Sequence, residues 1–229
     1  MNDDRGARSA ATKVLDVLTA LAHAPGPHRI VDLAAATGLA KATVHRMLRN
    51  LVESGFVVTA PGGCYTIGPR FLGIAAAALA EDPRRPVIRQ GLERLRAASG
   101  LSAHFVQRFA DQVVTVDSLE STDPYGLPAR PGHTAPVGDT AFGSAVLATG
   151  PGDPPPVTVR DDTDGVRSIA APVLDGTGGV IGAIGVSGTA FTLADAAVER
   201  LGPLVAETAA TTSSVLRARS TAGPQRRHA

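Results

Sequence analysis

The chain has one cysteine, Cys64. No intrachain disulfide can form, so packing must hold the fold, which fits a reducing compartment. No apolar run reaches transmembrane length: Ala75–Ala80 is too short and is followed at once by Glu81 and Asp82. Met1–Ser9 is polar and charged, without the apolar core of a signal peptide. A cytoplasmic protein with no membrane partner is expected. The signatures of catalysis are equally scarce. No serine sits in a Gly-x-Ser-x-Gly elbow; Gly143-Ser144-Ala145 is the nearest and fails. His104, His133, Asp117 and Asp139 match no triad or metal-ligand spacing and read as scattered polar residues. Gly176–Gly185, GTGGVIGAIG, lacks the Lys-Ser/Thr ending of a phosphate loop and precedes a strand, so it reads as a hairpin turn. No catalytic residue, metal or cofactor is expected.

What the chain does have is Ile30–Gly63, IVDLAAATGLAKATVHRMLRNLVESGFVVTAPGG. This pattern predicts two short helices about a tight turn, then a hairpin. Ala34 is small where the helices would cross. Gly38 can take the left-handed conformation that the turn needs. Val44 faces inward, and Leu33, Leu39, Met47 and Leu48 fill the remaining core. The motif is a winged helix-turn-helix, whose usual work is reading DNA. Charge agrees: residues 1–80 hold eight Lys/Arg against five Asp/Glu, and the remainder fourteen against sixteen. A basic front and a faintly acidic back suit a DNA reader joined to something else.

The apolar stripe of Lys41–Ser54 consists of Val44, Met47, Leu48, Leu51 and Val52. Lys41, Ala42, Thr43, His45, Arg46 and Arg49 lie off it and are the candidate DNA-binding residues. Arg46 is the best candidate for a base, guanine by chemistry. Lys41 and Thr43 suit phosphate, and His45 suits either. The bland alternative is a solvated polar helix face. The wing, Phe56–Thr59 and Cys64–Ile67 about Ala60–Gly63, has no cation at its tip, which leaves the Gly62 and Gly63 N–H groups to meet DNA. Arg5 and Arg8 can serve as a minor-groove arm or merely solubilise. Cys64 reads as a redox sensor or, in an exposed wing strand, as a neutral filler.

The expected organisation is an arm at 1–9, the winged helix-turn-helix at 10–68, a linker helix at 69–82, a second domain at 83–219 and a tail at 220–229. The Ala-rich linker is a candidate dimer contact. In the second domain, helices are expected at Val87–Ser99, Val137–Ala148 and Leu193–Arg217, the last with a bend at Gly202-Pro203. Strands are expected at Ala103–Gln107, Gln112–Leu119, Ile169–Leu174 and Val180–Ser187, with Gly150–Pro156 as a break. This is an antiparallel α+β domain.

ATGLAKATVHRMLRNLVESGFV with YTIGPRFLGIA, and GVRSIAAPVLDGTGGVIGAIGVSG further on, resemble the isocitrate-lyase-regulator (IclR) family of bacterial transcription factors. VVTVDSLES and GDTAFGSAVLA match intervening segments in order. The resemblance implies a dimer or dimer of dimers, a palindromic double-stranded DNA operator, and a GAF-like domain that takes a small organic acid or other metabolite. It implies a pocket between the sheet and the helix near Gly138, lined by Leu127, Ala129, Ala141, Phe142, Ser168 and Ser187. Family habit favours a repressor. The chain departs from the family in carrying only Thr149–Asp164 where several dozen residues of extra helices are usual. It also has Ser168 where Cys is common, Gly185 where Ser is frequent, and Phe142 where a small residue is usual. A pocket filled by Phe142 and missing a wall would make the second domain a mere dimerisation module. Both versions stand at this point, beside an enzyme or carrier with an incidental helix-turn-helix.

Overall fold

The computed structural model describes residues 9–23, 26–123, 126–148, 157–161 and 165–221. Arg5 and Arg8, most of Thr149–Asp164 and the tail beyond 221 lie outside them. The chain divides into two units, Met1–Asp82 and Pro83–Ala229.

The first unit runs α1 (Ala10–His23), α2 (Ile30–Thr37), α3 (Lys41–Glu53), β1 (Val57–Ala60), β2 (Cys64–Ile67) and α4 (Pro69–Glu81). Gly38 caps α2 at φ 67°, ψ 18°, which a side chain seldom tolerates. The Arg29 N–H donates to Asp32 Oδ2 at 3.1 Å, closing the first turn of α2. Val44, Met47, Leu48 and Leu51 of α3 are buried with Val17, Leu18 and Leu21 of α1 and Leu33 and Ala34 of α2. Each fully buried aliphatic side chain contributes roughly 1.5–3 kcal/mol. β1 and β2 pair antiparallel, Ala60 opposite Cys64. His28 and Tyr65 exchange two backbone hydrogen bonds of 2.8 and 2.9 Å, so the loop after α1 adds a rung to the wing. Nothing in the local sequence pattern announces that rung. The Arg70 guanidinium lies 4.9 Å from the Phe56 ring centre and donates to the Ser54 carbonyl, which fixes where α4 begins. α4 itself buries no residue within the unit.

The second unit runs α5 (Arg85–Ser99), β3 (Ser102–Phe109), β4 (Gln112–Leu119), β5 (Thr134–Pro136), α6 (Ala141–Leu147), β6 (Thr158–Asp161), β7 (Val166–Leu174), β8 (Val180–Thr189) and α7 (Asp195–Thr221). The strands form one antiparallel sheet in the order β5-β4-β3-β8-β7-β6. Ala103, Phe105, Ile169, Ala171, Val173, Ile184 and Val186 face one way and pack with Leu92 and Leu95 of α5 and Val205 and Ala209 of α7. The opposite face, with Val106, Val113, Ala170 and Ala183, packs under Phe142, Ala145 and Val146 of α6. Gly176–Gly179 lies in the β7–β8 turn. There Asp175 Oδ1 accepts from Thr177 N, Thr177 Oγ1 and Gly179 N. These bonds hold the Asp175 carboxyl below the usual carboxylate range, the Thr177 hydroxyl contributing most.

Several elements differ from expectation. The helix expected from Val137 starts at Ala141. Thr134–Pro136 pairs with β4, and Thr140 Oγ1 accepts from Gly143 N at 2.9 Å as an N-cap. Thr158–Asp161, where no strand is expected, is an edge strand, and Thr158 Oγ1 donates to the Ala141 carbonyl at 2.7 Å. The last helix continues through Pro203 to Thr221, past the expected start of the tail. α5 begins two residues early, at Arg85, with a proline in its first turn, where the missing N–H costs nothing.

One extra residue on β4, Val116, is absorbed by a bulge: Phe105 pairs with Asp117 and Val106 with Thr115. The bulge turns Asp117 to the α5 face, where Arg89 donates to its Oδ1 at 2.6 Å, and leaves Thr115 on the α6 face.

Alanine inside a helix is ordinarily about 0.5–1 kcal/mol better than glycine. At Gly143 the sign should reverse, because a Cβ would stand 1.9 Å from the Val137 carbonyl oxygen. Gly143→Ala is expected to destabilise the protein by about 1–3 kcal/mol, the usual cost of overpacking. Urea unfolding checks this; a raised midpoint would show that α6 does not approach Val137 so closely.

Candidate nucleic-acid interface and ligand pocket

The two faces of α3 are chemically distinct. Val44, Met47, Leu48 and Leu51 are buried, while Lys41, Ala42, His45, Arg46 and Arg49 are exposed and Thr43 is half-buried. Residues 42, 45, 46 and 49 follow helical i, i+3, i+4, i+7 spacing and so make one continuous stripe. No acidic residue occurs in α3 before Glu53. Among the described residues, Lys41, His45, Arg46 and Arg49 enter no ion pair. Their charges are therefore unpaired among the described residues. Asn50, outside the expected set, is exposed on the next turn. Its amide type suits adenine, and its offset of four from Arg46 was the available signal.

At the wing tip Gly62 and Gly63 both adopt positive φ, 77° and 72°, and a Cβ at either would meet nothing within 4 Å. Glycine is required there by conformation rather than by space, and the tip is open backbone. Cys64 beside it is free and half-buried, with Sγ 3.9 Å from the Gly62 carbonyl.

In the second unit a pocket of about 500 Å³ opens on the α6 face of the sheet. Four expected residues, Leu127, Phe142, Ser168 and Ser187, line it. Ala129 and Ala141 are buried but do not. Ala141, the first residue of α6, is buried in the cluster that α6 forms with the sheet instead. The sheet supplies His104, Val106, Val113, Thr115 and Val166. The segment between β4 and β5 supplies Pro128, Arg130 and His133, β5 supplies Ala135, and Thr140 stands at the α6 cap. This segment is pinned at both ends. Ser102 Oγ donates to the Leu127 carbonyl, while Thr115 N donates to His133 O and Gly132 N to Thr115 O.

Ser168 and Ser187 are register partners and their hydroxyls lie 3.0 Å apart. They satisfy each other in part and still face the pocket. The His104 ring meets Phe142 edge-on with centroids 5.7 Å apart. Burial, with a smaller contribution from His133, pushes its pKa down to about 4, so the imidazole is neutral at pH 7. Phe142 thus forms a wall and leaves the cavity open. His104 and His133, which read as scattered in the sequence, come together here. Their would-be partner Asp117 lies on the opposite face with Arg89, and Asp139 is exposed ahead of α6. Among the described residues no group of three or more His, Cys, Asp or Glu is placed to hold a metal ion.

Residues 10–61 match the family model of the IclR helix-turn-helix domain. The chain is similar to the DNA-binding transcriptional repressor YiaJ of Escherichia coli K12. The two are 30% identical over 138 residues, covering 59% of this chain and 49% of that protein. The chain thus spans about half the length of this curated relative. Among solved structures, it is similar to the IclR transcriptional regulator from Alicyclobacillus acidocaldarius. That match has a TM-score of 0.76 at 20% identity and covers 90% of this chain and 97% of the other. It is also similar to an IclR homolog from Microbacterium hydrocarbonoxydans complexed with 4-hydroxybenzoate. There the TM-score is 0.71 at 18% identity, with 92% of this chain and 100% of the other covered. Residues 10–61 are thus an IclR-type helix-turn-helix domain, and the helix-turn-helix followed by a six-stranded sheet domain is the fold of the IclR regulators that the chain is similar to.

Proposed function

We propose that the protein is a sequence-specific DNA-binding transcriptional regulator, acting in the cytoplasm as a dimer or dimer of dimers on a palindromic operator. The cationic stripe of α3, unpaired among the described residues, is the observation that carries this reading. Residues near the N-terminus of a second helix in this motif enter the major groove. Arg46 is assigned to a base, Lys41 and Thr43 to phosphate, and Arg49 and His45 to either. The wing tip adds the Gly62 and Gly63 N–H groups. The related YiaJ is a repressor, which favours repression here.

The second unit is assigned to binding a small organic acid. The open pocket supports this over a ligand-free dimerisation module, and the homolog carrying 4-hydroxybenzoate supports the ligand class. A ligand that binds one arrangement of the dimer better shifts the spacing of the reading heads. Self-association is supported by α4, which buries nothing within its unit and exposes Leu72 and Ile74. An enzyme reading has no support from the disposition of His104, His133 and Asp117.

Arg46→Ala and Arg49→Ala are expected to weaken specific operator binding at least tenfold while leaving the oligomer intact, since both lie off the packed stripe. Mobility shift with excess competitor DNA and size-exclusion chromatography check the two halves. Unchanged specific affinity in both variants would sink the assignment of α3. Affinity should also fall steeply with salt. If two heads each neutralise about three phosphates, the slope of log K against log salt is about −5. Lys41→Ala should flatten it by about two in a dimer. A slope near zero counts against phosphate contact. In the same mobility shift, 4-hydroxybenzoate and other small acids are the first effectors to add.

A further inference from the structure

The pocket has two chemically different ends. At its buried end stand Ser168 and Ser187, 3% and 9% exposed, with the partly buried His104 one rung away on β3. At its mouth stand Arg130 and His133, both exposed. Between them lie Val106, Val113 and the face of Phe142. None of the described residues lining the pocket is acidic.

We propose that this pocket takes a hydroxylated aromatic carboxylic acid with its hydroxyl pointing inward to His104, Ser168 and Ser187 and its carboxylate outward to Arg130. His104 is then the residue that sets specificity for the hydroxyl. The proposal rests on the reading of the second unit as a ligand domain and adds the orientation and its determinant.

Three arguments fix the orientation. First, a carboxylate only accepts hydrogen bonds, and burying one among neutral groups is costly. The inner end holds only neutral groups, because His104 stays uncharged at neutral pH. Second, a hydroxyl both donates and accepts. A neutral imidazole offers one donor and one acceptor. The His104 ring lines the pocket, and no hydrogen bond to another described residue occupies its side chain. The Ser168–Ser187 pair uses one O–H internally and keeps the other. The inner end is thus complementary to a group of mixed character. Third, the cation that an acid needs is at the mouth, where Arg130 keeps its hydration until the carboxylate arrives. About 500 Å³ is ample for a substituted ring, and the edge contact with Phe142 holds the His104 ring in place.

The test is calorimetric titration of the full chain with 4-hydroxyphenylacetate and its near-isostere 4-methylphenylacetate. A site built around a hydroxyl rejects the analogue that lacks it, because its buried polar groups are left unpaired. The hydroxy acid is expected to bind at least tenfold tighter. His104→Leu should shrink that ratio below threefold, and His104→Gln, which keeps a donor and an acceptor, should preserve most of it. Ser187→Ala should narrow the ratio as well, and serves if His104→Leu does not fold. Arg130→Gln should weaken both acids by a similar factor and leave the ratio alone. Equal affinities in the unaltered protein, a ratio indifferent to both inner variants, or a ratio that follows Arg130 instead would each overturn the orientation while the ligand domain stands. Binding of neither acid by protein that still shifts its operator would overturn the ligand reading itself.

Discussion

Burial of both faces of the β3–β8–β7 ladder shapes everything else in the second unit. Because side chains alternate along a strand, residues one apart enter opposite layers. Phe105, Ile184 and Ile169 belong to the layer under α5 and α7, while His104, Ser187 and Ser168 belong to the layer under α6. The first set makes a dry core. The second is not fully covered, since α6 is only seven residues long. The uncovered remainder is the pocket. A slip of one residue in any of these strands would place polar groups in the core and empty the pocket of its chemistry.

The bulge at Val116 works within that constraint. Without it, strand alternation would put Asp117 on the same face as Thr115, toward His104, and give the pocket a carboxylate. With it, Asp117 meets Arg89 on the helix side, and the polar groups among the described lining residues are neutral or cationic. The placement of Asp117 outside the pocket thus traces to one bulged residue on β4. The first unit solves a simpler problem. An amphipathic α3 buries one stripe, and whatever lies opposite is free to meet DNA.

The winged helix-turn-helix was legible because its rules are local. Gly38 sits at a left-handed cap, the α3 stripe repeats at helical spacing, and Pro61–Gly63 between two short strands makes a turn. The helix α4 was legible from Pro69 and an Ala-rich run. Less legible was everything that depends on a distant partner. β5 and β6 are three and four residues long, and are strands only because β4 and β7 offer edges to pair with. The α6 start moved from Val137 to Ala141 for the same reason. The rung between His28 and Tyr65 joins a loop to a strand far along the chain.

Periodicity, turn chemistry and an ordered likeness of motifs, all of which a linear string can carry, were enough to foresee the class of fold, the cations exposed on α3, and four of the residues that line the pocket. Three outcomes needed the folded chain: Phe142 walls the cavity instead of filling it, His104 and His133 share that cavity, and Asp117 does not. They depend on register and on one bulge. A strand's alternation says that neighbours part, but only its pairing says which of them faces the helix and which the ligand.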